Sequence, residues 1–420
     1  MSIPGTNLLR WSAALALTLS SGACASDVTD PVGDSTLAEE DSFAVNAVNP
    51  GDPLPGLTEE QLAAFELGEE DFAEVEEADE GLGPVFNNTG CGVCHDQPVT
   101  GGASTTNLVE IRYGKTNADG SFDPLSQFGG SLQQLAGIGN SGIPGCEAVN
   151  FAQETIPPEA NTLGGRLTQP LFGLGLIDGI PDSSFHTLAA LQAALFPSTA
   201  GRVSIVTNIA TGQPDVGRFG WKAVVASVFD FSGDAYLNEM GITNPLFPNE
   251  SCFNGDCALT AQCDPTPDPE DDGTALENFT NFMTFLAPLP TGPTNAQTVI
   301  GAGAFAAIGC ANCHVPIAKT GSSTIPALDR KTFNPYSDFL LHDMGSLGDG
   351  IVQGSVGARE MRTAPLWGAR VRTAFLHDGR AASVRDAILA HAGQGQSARD
   401  QFAGLPGFLR NAVVAFVNSL

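Results

Sequence analysis

Two short stretches carry the residue types best suited to chemistry. Residues 86–95 read FNNTGCGVCH and residues 305–314 read FAAIGCANCH. Both fit F-x-x-x-G-C-x-x-C-H, 219 positions apart, an internal echo that points to two copies of one module. Three chemistries use cysteines at this spacing. A redox dithiol belongs beside a βαβ pattern, whereas glycine-rich loops surround these pairs. Zinc sites use C-x-x-C pairs but give no reason for a histidine directly after each. Covalent haem attachment explains every fixed position. Thiols at i and i+3 share one side of a helical turn and can form thioethers to the porphyrin, and the next residue's imidazole falls under the ring as an iron ligand. Cys91, Cys94 and His95 would serve one haem, and Cys310, Cys313 and His314 a second.

Each iron then has a far side, filled or open, and that choice separates electron relay from chemistry on a substrate. The remaining histidines are His186, His342, His377 and His391, and Met240, Met283, Met344 and Met361 are further soft ligands.

The elements that must position these residues are helices joined by long structured loops. The 420 residues include 49 glycines and 28 prolines, with few charges, which is loop-rich for a chain of ordinary hydrophobicity. A helix is expected from Thr58, which makes a capping box with Gln61, and another over 273–288. Residues 81–200 read as loops, punctuated by FGGSL, GIGNSGIPG and TLGGRLTQPLFGLGLIDGIPD. Residues 263–273, CDPTPDPEDDG, are acidic without the ordered spacing of a known calcium loop; a solvated surface loop is the expectation, with calcium the alternative. The fold class expected is mainly α, with two cytochrome-c-like domains. The boundaries read as a signal peptide over 1–25, an acidic disordered tether over 26–57, a first haem domain over 58–200, an inter-haem region with disulfides and a connecting helix over 201–292, and a second haem domain over 293–420.

The net charge is −29, and no Lys or Arg occurs between Trp11 and Ile111. Phosphate binding needs a basic face, so a nucleic-acid partner is excluded. The acidity serves solubility, or forms a docking face for a basic electron-transfer partner. The N-terminus carries Arg10, a short apolar run from Trp11 to Leu19, and small residues, the pattern of an export signal too short to span a bilayer. Ala23-Cys24-Ala25 suits a cleavage site, and Ser21-Gly22-Ala23-Cys24 resembles a lipobox with a lipid anchor at Cys24. No transmembrane helix is expected after it, so the location expected is the bacterial periplasm or the exported face of a membrane. Of nine cysteines, two C-x-x-C pairs and Cys24 leave Cys146, Cys252, Cys257 and Cys263, enough for two disulfides with three connectivities.

The second half contains FNPYSDFLLHDMGSLGDG, MRTAPLWGARVRTAFLHDGRAASVRDAILAHAGQGQSARDQFAGL and LRNAVVAFVNSL. With GLGPVFNNTGCGVCH, PLFGLGLIDGIPD and GRFGWKAVVASVFDFSGDAYLNEMGITNPLFPNESC, these blocks resemble the di-haem oxidoreductase family, labelled peroxidase or thiol oxidoreductase, over roughly residues 60–420. That family is similar to bacterial di-haem cytochrome c peroxidases and the methylamine-utilisation di-haem enzyme. The resemblance implies two covalently bound haem c groups and a small redox protein as electron donor, of cytochrome c or cupredoxin type. Electrons would enter at the C-terminal haem and pass to the N-terminal haem for reduction of peroxide or a related oxidant. A non-catalytic di-haem cytochrome and a thiol or protein oxidase are the alternatives. The resemblance further places His391 as the second haem's sixth ligand, where the peroxidases have methionine, and His342 and His377 as hydrogen-bonding residues of the haem pocket. It implies a tryptophan between the haems, for which Trp221 is the candidate and Trp367 its rival. The peroxidases' WDGR block has no counterpart; Glu110 and Arg112 are the catalytic candidates at the first haem, and Tyr113 a further ligand candidate.

Overall fold

A computed structural model describes residues 48–104 and 108–420. The expected signal segment, the Cys24 anchor and most of the tether lie outside the described residues. The described residues cluster as one compact unit.

Two helix pairs frame the two motifs. Thr58 caps the Glu59–Ala73 helix as expected, its hydroxyl accepting from the Gln61 N–H at 3.2 Å while Gln61 answers at the Thr58 N–H. This helix packs on the Thr274–Phe285 helix, which matches the expected helix over 273–288. Gly68 permits the contact, since a Cβ there would sit 2.2 Å from the Asn278 carbonyl oxygen. The second pair repeats the device. The Ala296–Ala307 helix, capped by Asn295, crosses the Gly407–Val417 helix where a Cβ on Gly301 would meet the Ala412 oxygen at 2.0 Å.

The larger apolar core joins Phe65, Phe72, Tyr236, Phe279 and Phe282, with Phe72 and Phe282 ring centroids 4.9 Å apart. The smaller core gathers Phe305, Phe402, Val413 and Phe416 beneath the second motif. Each such ring contributes roughly 1.5–3 kcal/mol by leaving water, which holds the helix pairs and the motif-bearing turns together.

Helix accounts for 35 % of the structure and strand for 15 %, so strand is better represented than a mainly α reading anticipates. The loop-rich stretch over 81–200 hides an antiparallel sheet in which Leu108–Thr116 pairs with Thr162–Leu167, with Leu132–Gln133 and with Phe122–Asp123. Two disulfides form, Cys146–Cys263 and Cys252–Cys257, and the four motif cysteines are free. Among the described residues no helix is long and apolar enough to cross a membrane.

Candidate functional site

The second motif opens onto a cavity of about 430 Å³, within the range of small-molecule and cofactor sites. Cys310 and Cys313 sit on a 3-10 turn directly after the Ala296–Ala307 helix, and His314 follows. Across the cavity stands His391, which ends the Val384–Ala390 helix, itself capped by Ser383. The two imidazole centroids are 6.5 Å apart. The Nδ1 of His314 lies 3.0 Å from the Tyr336 carbonyl oxygen, and that of His391 2.8 Å from the Ala387 oxygen. Such a bond takes the ring proton to Nδ1 and leaves the Nε2 lone pair for a metal. Burial and the neighbouring His391 push His314 down to about 4, and burial lowers His391, so both rings are neutral near pH 7.

His342 differs. Its Nε2 donates to Asp338 at 2.9 Å, and its Nδ1 lies 3.7 Å from the Cys313 sulfur. Burial alone would lower it, but Asp338 and Cys313 draw it up to about 10, so it is charged and its Nε2 is engaged. His377, 4 % exposed, has its ring edge-on to Trp221 at 6.3 Å between centroids, and both line the cavity. Trp221 donates from Nε1 to the Leu167 oxygen at 2.9 Å. Its rival Trp367 packs on Phe333 in the larger core. His186 lies exposed on the Asp182–Leu195 helix.

At the first motif Cys91–Cys94 forms one helical turn, as the spacing predicts. The His95 Nδ1 lies 2.9 Å from the Gly102 oxygen, and its ring meets the edge of Phe72. Burial pushes His95 down to about 4. The Cys91 sulfur rests 3.7 Å from the Met240 sulfur, and the Asn88 side chain donates to the Cys94 sulfur at 3.3 Å. With His342, His377 and His391 all lining the second cavity and His186 exposed, His95 is the single imidazole here.

Carboxylates stand near the first motif's thiols, Glu76 by Cys91 and Glu239 by both cysteines, and an ion-pair chain lies beyond Glu239. Glu110 pairs with Arg112 and, at 3.0 Å, with Arg166, which reaches Asp349 at 2.6 Å; Lys222 completes the chain at 3.1 Å from Asp349. Burial would raise the Glu110 carboxyl, but Arg112 and Arg166 hold it below the usual range. Glu239 accepts from the Asn87 side chain at 2.7 Å and is pushed up to about 7 by burial and by the charge of Glu110. Asp234 is raised to about 6 by burial against the pull of Arg112. Tyr113 faces the other side of its strand and donates to the Phe128 oxygen.

Burial pushes the thiols of Cys91 and Cys310 up to about 12, opposite to the depressed values of reactive dithiols. Among the described residues, neither motif's two cysteines and histidine converge as the ligands of one zinc ion must. Haem fits better. Two buried guanidinium groups, Arg362 and Arg372, line the second cavity; Arg362 donates to the Gly220 oxygen, and the Arg372 Nε has no partner. Burial pulls both down to about 10, an environment short of negative charge that the two carboxylates of a haem would supply.

Sequence reasoning selected the motif residues, His391, His342, His377, Trp221, Glu110 and Arg112. It missed Arg166, Glu239, Asp349, Arg362 and Arg372, whose only signal was charge within otherwise apolar blocks.

The sequence family described as "Di-haem oxidoreductase, putative peroxidase" matches residues 152–420. A search of curated proteins finds no match. Among solved structures, hydrazine synthase from Kuenenia stuttgartiensis is similar at 14 % identity and a TM-score of 0.41, over 96 % of this chain and 100 % of that one. A MauG-like protein associated with microbial copper homeostasis is similar at 13 % identity and a TM-score of 0.32, over 93 % and 95 %. The family assignment rests on the sequence match.

Proposed function

Because the chain belongs to the di-haem oxidoreductase family, we propose that it is an exported enzyme carrying one covalent haem c on each C-x-x-C-H motif, with electrons received at the His314 site and used to reduce peroxide at the His95 site. The observation that carries this reading is the pair of neutral imidazoles, His314 and His391, facing each other across the second cavity while His95 has no such counterpart. Two cytochrome-c-like domains follow from the same reading, the first completed by a helix from the 201–292 stretch.

When bound, haem supplies the storage of single electrons and the cleavage of the O–O bond, two electrons and two protons turning hydrogen peroxide into two waters. The chain's residues do the rest. Cys91, Cys94, Cys310 and Cys313 anchor the groups, and His95 and His314 hold the metal side through Nε2. His391 closes the far side of the second site, which suits relay over substrate binding. Arg362 and Arg372 neutralise carboxylates in the cavity, and His342 is fixed by Asp338 beside the Cys313 attachment point. Trp221 spans from the second cavity to Leu167, the neighbour of Arg166, and so joins the relay side to the Glu110 network. Glu110, kept ionised by two arginines, is available to accept a proton, and Glu239, poised near pH 7, to supply one to the first site. The electron donor we propose is a small basic redox protein, of cytochrome c or cupredoxin type, attracted by the net charge of −29.

Electron paramagnetic resonance of the protein loaded with haem tests the reading. The second iron is expected to be low-spin, and the first high-spin, at rest or on half-reduction. His391→Ala should turn the second iron alone high-spin. Two irons that stay low-spin throughout make the protein an electron-transfer cytochrome, and haem reduction by thiols alone would favour a thiol oxidase.

A further inference from the structure

Four carboxylates outside both motifs converge on one point. Glu250 comes from the loop after the Val228–Met240 helix, and Asp264, Asp268 and Glu270 from the segment between the Cys257–Cys263 and Thr274–Phe285 helices. One oxygen from each lies within 4.8 Å of the others. Both oxygens of Glu250 and the Oε1 of Glu270 are shut off from solvent and have no hydrogen-bond partner. Ionised, unpaired carboxylate oxygens in such a place are strongly unfavourable: without a cation Glu250 keeps its proton, its carboxyl pushed up to about 9 by burial and its acidic neighbours, and a cation that meets the oxygens displaces it.

The other oxygens are used for positioning. The Oε2 of Glu270 accepts from the Thr243 N–H at 2.7 Å and from its hydroxyl, and the Oδ1 of Asp268 accepts from the same hydroxyl at 3.1 Å. The Oδ1 of Asp264 accepts from the Thr266 N–H at 3.1 Å. Each of these three residues is thus fixed by one oxygen with the second left over. The charges around Glu250 are those of its three acidic neighbours.

We propose that Glu250, Asp264, Asp268 and Glu270 bind one calcium ion. All-oxygen, carboxylate-rich donor sets select hard divalent cations. Size favours calcium: ligands 2.3–2.6 Å from an ion lie at most about 5 Å apart, which covers the observed spread, whereas magnesium, at 2.0–2.1 Å, allows only about 4 Å. The Glu250 loop leads into Cys252, and Asp264 follows Cys263 directly, so the ion would tie both disulfides to the base of the Thr274–Phe285 helix. The proposal does not depend on the haem assignment.

The test uses the full-length protein, stripped with chelator, desalted and titrated calorimetrically with calcium chloride or magnesium chloride, with thermal midpoints recorded alongside. One calcium site is expected, with a rise in Tm of about 3 °C or more at saturation and little response to magnesium. The double variant Glu250→Gln/Glu270→Gln should lose that site, and its metal-free midpoint should equal or exceed that of the metal-free parent, since two crowded charges are gone. Should the double variant misfold, Asp268→Asn, at the exposed corner, is expected to weaken calcium binding about tenfold. Calcium that stabilises parent and variants equally binds elsewhere and overturns the proposal. So does a parent that ignores calcium, or one that responds equally to magnesium.

Discussion

At the second motif His314 looks across a cavity to His391; at the first, His95 packs on Phe72 and the backbone at Gly102, with Asp96 beside it and Glu239 near the thiols. The near side is shared. Both motifs follow a helix seated on its partner through a glycine, both place their thiols on a single tight turn, and both turn the histidine by a carbonyl at Nδ1. The difference lies in what surrounds that frame. Around the second lie a further imidazole, an engaged histidine, two under-neutralised arginines, and His377, which feels the charges of Asp349 and Arg166. The first has Glu110 held ionised and Glu239 and Asp234 poised nearer neutrality. Under the proposed function one duplicated anchor would serve two roles, with relay and proton-coupled chemistry decided by groups outside the motif.

Removing one anchor is the harshest test of that contrast. Cys310→Ser/Cys313→Ser should leave one covalent haem per chain, with the low-spin iron lost, whereas Cys91→Ser/Cys94→Ser should leave the low-spin iron alone. Haem stain after denaturation and resonance spectra read both outcomes, and matching spectra from the two variants would erase the contrast. A smaller effect is expected from Glu110→Gln. Haem content and the second iron's spectrum should stay unchanged, while peroxide turnover falls on the order of 100-fold, the usual scale for a proton-transfer group. An unchanged kcat would reduce Glu110 to a structural partner of Arg112 and Arg166.

The anchor was legible in the sequence because it is local: five consecutive residues, seen twice, with Thr58 and the 273–288 pattern announcing two of the framing helices. His391 was reached through the family resemblance, and it stands at the end of a seven-residue helix, across the cavity from His314. The sheet was obscured because Thr162–Leu167 carries Gly164 and Gly165, which read as turn residues yet here line a strand against Leu108–Thr116. The ion-pair chain was beyond reach for another reason. Arg166 meets partners 56 and 183 positions away, and no local pattern distinguishes a buried charge from a solvated one. The disulfide pairing was open on the same ground, since four cysteines admit three connectivities and only the fold chooses.

The finest discrimination between the two regions is a proton on Glu239. In the fold this carboxyl is pushed up to about 7, against an ordinary value of 4.5. Below pH 4.5 both folded and unfolded chains carry the proton and the group is neutral toward stability. Between 4.5 and 7 the folded chain keeps a proton that the unfolded chain has released, so stability falls as pH rises, by up to about 3 kcal/mol above pH 7. Glu239→Gln stays neutral and can still accept from Asn87, so it escapes that loss. Urea unfolding should find the variant more stable than the parent at pH 8 and equal to it at pH 4. Turnover should move the other way: the parent's peroxide reduction declines above about pH 7 as the proton is lost, and the variant is slow throughout with that step missing from its pH profile. Opposite signs for stability and activity mark a group kept for chemistry at a cost to the fold. A variant no more stable at pH 8 than the parent means Glu239 is already ionised in the native protein, and the first site then loses the proton reservoir that sets it apart from the second.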